Sequence, residues 1–191
     1  MRLFVAIELP PEACRAAGEV ARELKRSGAD VKWVRPESLH LTLKFLGEVD
    51  PERLPEIKKA LRRACAGARA LELGLAGAGA FPGVQRPQVV WLGLEGQTAE
   101  LAGLAGRVED EAEALGFARE KRGFKPHLTL GRMRRKKRGA KAPPAGPLAR
   151  ALAGLAGWQG PGFTGSRVSL MQSTLTPAGA VYEPLETVTL T

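Results

Sequence analysis

Apolar residues alternate with polar ones, or gather in short runs, over 2–9, 31–34, 39–47, 71–81, 88–96, 126–133, 167–175 and 186–191, which predicts a strand in each segment. Between them lie stretches with helical start and stop signals. The sequence predicts a helix over 11–26 ended by Gly28, and a second that begins with Asp50 as N-cap and Pro51 in the first position and stops at Gly67. A third spans 98–115 and ends at Gly116, and a weaker fourth spans 146–156. The segment between Gly116 and Lys125 is a further strand candidate.

The order of these elements repeats. Up to about residue 80 it runs strand, helix, strand, a strand carrying the tetrapeptide HLTL, helix, strand; from about 88 to 176 the same order recurs around a second HLTL. The two tetrapeptides, 40–43 and 127–130, contain the only two histidines among the 191 residues. The layout predicts one α+β folding unit spanning 1–191, built from duplicated units of about 1–80 and 88–176. Its two α/β lobes, with mainly antiparallel sheets, are related by a pseudo-two-fold axis and face a central cleft, each delivering one histidine to it.

Composition narrows the class. With 44% hydrophobic and 26% charged residues the chain reads as globular, and the longest apolar runs fall well short of the roughly 18 residues a membrane span requires. No signal-peptide cleavage pattern follows the start, so the expectation is a cytoplasmic monomer with no membrane partner. Cys14 and Cys65 form no C-x-x-C pair and fall in predicted helices, which reads as reduced and buried. Lys and Arg outnumber Asp and Glu by 29 to 20, a balance that favours polyanions. Much of the excess lies in GRMRRKKRGAK, 131–141, directly after the second HLTL.

On a strand His40 and Thr42 point one way and Leu41 and Leu43 the other, so the leucines pack inward and leave an imidazole beside a hydroxyl. Lys44 continues the polar face in the first half, as His127, Thr129 and Gly131 form it in the second. Two histidines are too few for a zinc site without a carboxylate, threonine is a poor ligand for zinc, and no G-x-S-x-G elbow is present. No metal or other cofactor is therefore expected. What remains is a general acid paired with a general base, the threonine hydroxyls donating to phosphate oxygens. Imidazole suits both roles because its ordinary pKa lies near 6.5.

At these residues the sequence resembles the two-histidine phosphoesterase superfamily, defined by two H-x-[ST]-x motifs. It is most similar to the RNA 2′,3′-cyclic phosphodiesterases, also called 2′-5′ RNA ligases. RLFVAIELP, HLTLKFLGEV and FKPHLTLGRM carry the resemblance over nearly the whole chain. The resemblance implies a bilobal α+β fold and metal-independent opening of a ribose 2′,3′-cyclic phosphate to a 2′-phosphate, with an RNA or nucleotide end as partner. It implies His40 as the acid that protonates O3′, His127 as the base that activates water, and Thr42 and Thr129 as phosphate ligands. The acid and base roles can be exchanged without altering the sequence evidence. Joining of RNA ends through a 2′-5′ bond is the same chemistry reversed, and a basic RNA-binding module without catalysis is the reading outside enzymes.

Five residues after each histidine stand Phe45 and Arg132, an aromatic ring and a guanidinium that could sandwich a nucleobase. Strict alternation would turn both inward with the leucines. The sandwich therefore requires each strand to end or bulge just after HLTL. Lys44 and the loop 134–141 are the expected holders of further RNA phosphates.

Overall fold

The alternating runs pair into two antiparallel sheets in the computed structural model, which describes residues 1–134, 146–177 and 179–191. The first sheet has the order β3-β1-β8-β9, formed by β1 (Arg2–Glu8), β3 (His40–Glu48), β8 (Arg167–Thr176) and β9 (Gly179–Thr189). The second has the order β2-β6-β5-β4-β7, formed by β2 (Val31–Trp33), β4 (Leu71–Phe81), β5 (Val89–Gly96), β6 (His127–Met133) and β7 (Gln159–Gly165). The result is the expected bilobal α+β fold.

Each sheet is assembled from both halves of the chain. β4 leaves the first half to pair with β5, and β8 leaves the second half to pair with β1. Neither half closes its own sheet, so the lobes are not the contiguous segments before and after residue 80. The helices follow the same exchange: α2 (Leu54–Cys65) and α3 (Thr98–Ala114) pack on each other and on the first sheet, whereas α1 (Pro11–Lys25) and α4 (Gly146–Gly154) back the second.

Helical spacing explains what each helix buries. Ala13, Ala17, Val20, Ala21 and Leu24 form the inner stripe of α1, and Ile57, Ala60, Leu61 and Ala64 that of α2. Gly18 lets α1 approach the short turn at Pro36, whose Cγ would lie 2.9 Å from a β-carbon there. On the strands the leucines of both tetrapeptides are buried, Leu41, Leu128 and Leu130 completely. Each fully buried leucine is worth about 1.5–3 kcal/mol, so the HLTL strands are anchored from behind.

Several elements differ from the sequence expectation. Asp50 does cap, its Oδ1 accepting from Glu52 N at 3.0 Å, but the turn it opens (Pro51–Arg53) is 3₁₀ before α2 begins. The glycine-rich QGPGFTG, which lacks strand propensity, forms β7 because the open edge of β4 offers a ladder; Pro161, with no N–H to donate, is tolerated in this edge strand. β9 begins at Gly179 rather than 186, paired along its length with β8. The stretch between Gly116 and Lys125 is not a strand. Both cysteines are free and helical; Cys65 is buried, while Cys14 is only partly so.

Candidate active site

β3 and β6 lie against each other where the two sheets meet, which places the two tetrapeptides at the junction of the lobes. Their burial runs in step: from His40 to Phe45 and from His127 to Arg132 the sequence is half-buried, buried, half-buried, buried, buried, exposed. Two consecutive buried residues break the alternation of a regular strand. The cause is a bulge at the same place in both. Against β1, Lys44 and Thr42 pair with consecutive residues Val5 and Ala6, leaving Leu43 without a partner; against β5, Gly131 and Thr129 pair with Val90 and Trp91, leaving out Leu130.

The bulge decides where the fifth residue points. Phe45 is turned out, 56% exposed, with its ring 5.9 Å from that of Phe4, and Arg132 is likewise exposed. Both therefore return to the face that carries the imidazoles and hydroxyls. The fourth residue is turned in, and here the expectation for Lys44 fails. Lys44 is only 6% exposed, its Nζ donating to Glu109 Oε1 at 2.5 Å and to the Ala118 carbonyl at 2.6 Å, so it cannot hold substrate phosphate or continue the polar face. Gly131 is also turned in, against β2: a β-carbon there would stand 2.5 Å from Val31 Cγ1.

Both imidazoles are held alike. His40 Nδ1 lies 2.9 Å from the Ser38 carbonyl and His127 Nδ1 2.7 Å from the Lys125 carbonyl, in each case two residues back along the chain. A carbonyl can only accept, so Nδ1 carries the proton and Nε2 is the nitrogen left for chemistry. An aromatic ring stands perpendicular to each, Tyr182 at 5.0 Å and 84° to His40 and Phe81 at 5.0 Å and 85° to His127. Phe4 also packs on His40, at 4.7 Å, and touches the Tyr182 ring at 5.2 Å. Burial pushes the pKa of His40 below the ordinary 6.5, opposed by the Ser38 carbonyl. Burial likewise lowers His127, opposed by the Lys125 carbonyl and reinforced by the charge of Arg132.

Comparison with known proteins decides the family. The profile of the LigT like Phosphoesterase family matches the chain twice, over residues 7–91 and 92–182. The chain belongs to the LigT-like phosphoesterase family. Relatives of this LigT-like chain include proteins named RNA 2′,3′-cyclic phosphodiesterase from Methanothermobacter thermautotrophicus, 34% identical over 97% of both chains, and Archaeoglobus fulgidus, 37% identical over 97% of this chain and 98% of the other. A solved protein from Thermus thermophilus superimposes with a TM-score of 0.77 at 31% identity, covering 100% of this chain and 98% of the other. Escherichia coli LigT complexed with 3′-AMP follows with 0.75 at 27% identity and the same coverage.

Sequence reading of this LigT-like chain missed the aromatic supports. Tyr182 sits on β9 and Phe81 at the end of β4, far from the tetrapeptides in sequence, and only the pairing of β8 with β9 and of β4 with β5 brings them there. Phe81 in turn rests on Trp91, 5.3 Å away, whose indole crosses β4 where Gly79 has no β-carbon to obstruct it. Among the described residues no three imidazole, thiol or carboxylate groups are grouped to hold a metal ion, and no helix is long and apolar enough to cross a membrane. The basic loop is described only at its start, where Arg134 pairs with Asp30 at 3.6 Å; residues 135–141 lie outside the described residues.

Proposed function

We propose that this protein is an RNA 2′,3′-cyclic phosphodiesterase that opens a terminal ribose 2′,3′-cyclic phosphate to a 2′-phosphate without a metal, using His40 and His127 as its acid and base. The observation that carries the reading is the matched tether of the two rings, Nδ1 to a carbonyl two residues back, which gives both the same tautomer. Relatives named for this activity, and a relative with a bound nucleotide, support it.

In the reaction a water oxygen bonds to phosphorus while the P–O3′ bond breaks. One imidazole takes the water proton at Nε2 as the other, protonated, delivers its proton to O3′, so that a 3′-hydroxyl and a 2′-phosphate remain. Thr42 and Thr129 donate to the non-bridging oxygens, whose charge grows in the transition state. We assign His40 as the acid and His127 as the base. Incubation with a nucleoside 2′,3′-cyclic phosphate in EDTA tests the whole scheme: it should yield the 2′-phosphate, whereas tight binding with no turnover would leave an RNA-binding module.

The pH profile follows from the burial of the rings. The active form holds one neutral and one protonated imidazole, and both rings titrate below 6.5 in the free protein. Lowering the pH from neutrality therefore first supplies the missing proton and then removes the base. The expected kcat/KM profile is a bell with its maximum on the acid side of 6.5, measurable between about pH 4.5 and 8 with a cyclic diester, whose own charge is constant there. A maximum above about 7 would contradict the desolvation of the rings.

Phe45 and Arg132 hold the base in this scheme, since the paired bulges return them to the imidazole face. Phe45→Ala and Arg132→Ala should each weaken nucleotide binding about 5- to 100-fold, the range of one base stacked on a side chain. Titration with a nucleoside 2′-phosphate checks this, and undiminished affinity in both variants would remove the sandwich.

A further inference from the structure

We propose that the mouth of the cleft carries a second anion subsite, formed by Arg2, Lys32 and the Tyr182 hydroxyl beside Arg132, which takes a phosphate on the 5′ side of the nucleotide whose cyclic phosphate reacts. The proposal rests on the cyclic phosphodiesterase reading above.

The register of the second sheet places Lys32 directly opposite Arg132 on neighbouring strands, so the two side chains leave the same face, and both are exposed. Two cations so placed repel each other. Among the described residues neither they nor Arg2 pairs with a carboxylate, although acidic partners are recruited elsewhere on the surface by Arg53, Arg63 and Arg119. An anion between the two strands relieves that repulsion.

The opposite wall supplies the rest. Arg2 precedes Phe4 by two residues on β1 and so shares its face, the one turned to His40 and Tyr182. The Tyr182 phenol, raised in pKa by burial, is opposed by the positive charges of both Arg132 and Arg2, one from each lobe. The phenol thus stands where the two guanidinium fields overlap, and its hydroxyl has no hydrogen-bond partner among the described residues. A donor within the field of two cations is suited to a phosphate oxygen.

The location selects which phosphate. A nucleotide with its cyclic phosphate on Thr42 and Thr129 and its base on Phe45 and Arg132 has one remaining end, O5′. Cations just beyond Arg132 meet whatever that oxygen carries: a terminal phosphomonoester, or the phosphodiester leading to the rest of an RNA chain.

Calorimetric titration with three product-like ligands tests this on the intact 191-residue chain: a nucleoside 2′-phosphate with a free 5′-hydroxyl, the matching 2′,5′-bisphosphate, and a dinucleotide whose terminal 2′-phosphate nucleotide carries a 5′ phosphodiester. The bisphosphate should bind at least about tenfold tighter than the 5′-hydroxyl ligand. Arg2→Gln and Lys32→Gln should each erase most of that ratio and lower the salt dependence by about one counterion, and Tyr182→Phe, which keeps the ring, should reduce it about threefold. An equal gain for the dinucleotide identifies an RNA chain as the source of the phosphate, and a gain confined to the bisphosphate identifies a free 5′ end. A wild-type ratio near one, or a ratio unchanged in all three variants, overturns the subsite. Failure to hydrolyse a cyclic phosphate would instead overturn the phosphodiesterase reading, because the binding ratios are measured without turnover.

Discussion

Replacing either histidine by alanine is expected to lower kcat for a 2′,3′-cyclic phosphate by about 10²- to 10⁴-fold, the contribution of a positioned acid or base. The fold should survive. His40 and His127 are half-buried on the cleft side, whereas Leu41, Leu128 and Leu130 behind them are completely buried and hold the strands in place. Loss of an imidazole also strands little charge, because burial lowers both pKa values and favours the neutral rings; the Ser38 and Lys125 carbonyls lose a donor that water can replace. Thermal midpoints should therefore shift by only a few degrees while turnover collapses. The two losses should not multiply. Without the acid, the base alone delivers little, so the double variant should resemble the worse single variant rather than the product of both. A loss below about tenfold in either single variant would mean that its ring carries no proton in the reaction.

Period-two alternation was enough to read this site through the four residues of each tetrapeptide and failed at the two that follow it. His40, Thr42, His127 and Thr129 face one way and the leucines the other because a strand permits nothing else. The bulge that follows has no local signature: LTLK and LTLG contain no residue that demands an extra unpaired position. It is imposed by register against β1 and β5, strands distant in sequence, and with it Lys44 exchanges sides with Phe45. The same limit applies elsewhere. Helix boundaries were legible because Gly28, Gly67 and Gly116, all at positive φ, act locally. β7 was not legible, since only the free edge of β4 makes QGPGFTG extended. Nor were Tyr182 and Phe81, aromatic residues whose value lies in where exchanged strands deliver them.

Lys44 is where that misreading has its largest physical consequence. Lys44→Met is expected to destabilise the protein by about 3–5 kcal/mol, the cost of removing one partner from a buried ion pair. Glu109 Oε1 accepts from Lys44 Nζ and also from Glu120 N at 2.7 Å, so one carboxylate oxygen ties β3 and the chain after α3 together. The Ala118 carbonyl adds a second tie to the same ammonium. In the other lobe the corresponding edge is covered by β2, whose backbone pairs with β6 and leaves room only for Gly131. Among the described residues no strand covers the outer edge of β3, and the buried ammonium instead ties β3 to α3 and to the chain that follows it. The tethered segment leads on through Phe124 and Lys125 to His127, so loosening it also frees the carbonyl that fixes the tautomer of that ring. Urea unfolding of Lys44→Met, Glu109→Leu and the double variant checks the account. Each single variant should lose several kcal/mol, and the double variant should recover much of it, since two apolar groups strand no charge. Turnover at a temperature where Lys44→Met is still folded should fall with kcat affected more than KM, because the damage reaches the imidazole and not the proposed base contacts of Phe45 and Arg132. Single-variant losses under about 1 kcal/mol would show that the ammonium is solvated rather than enclosed, and would restore Lys44 to the cleft.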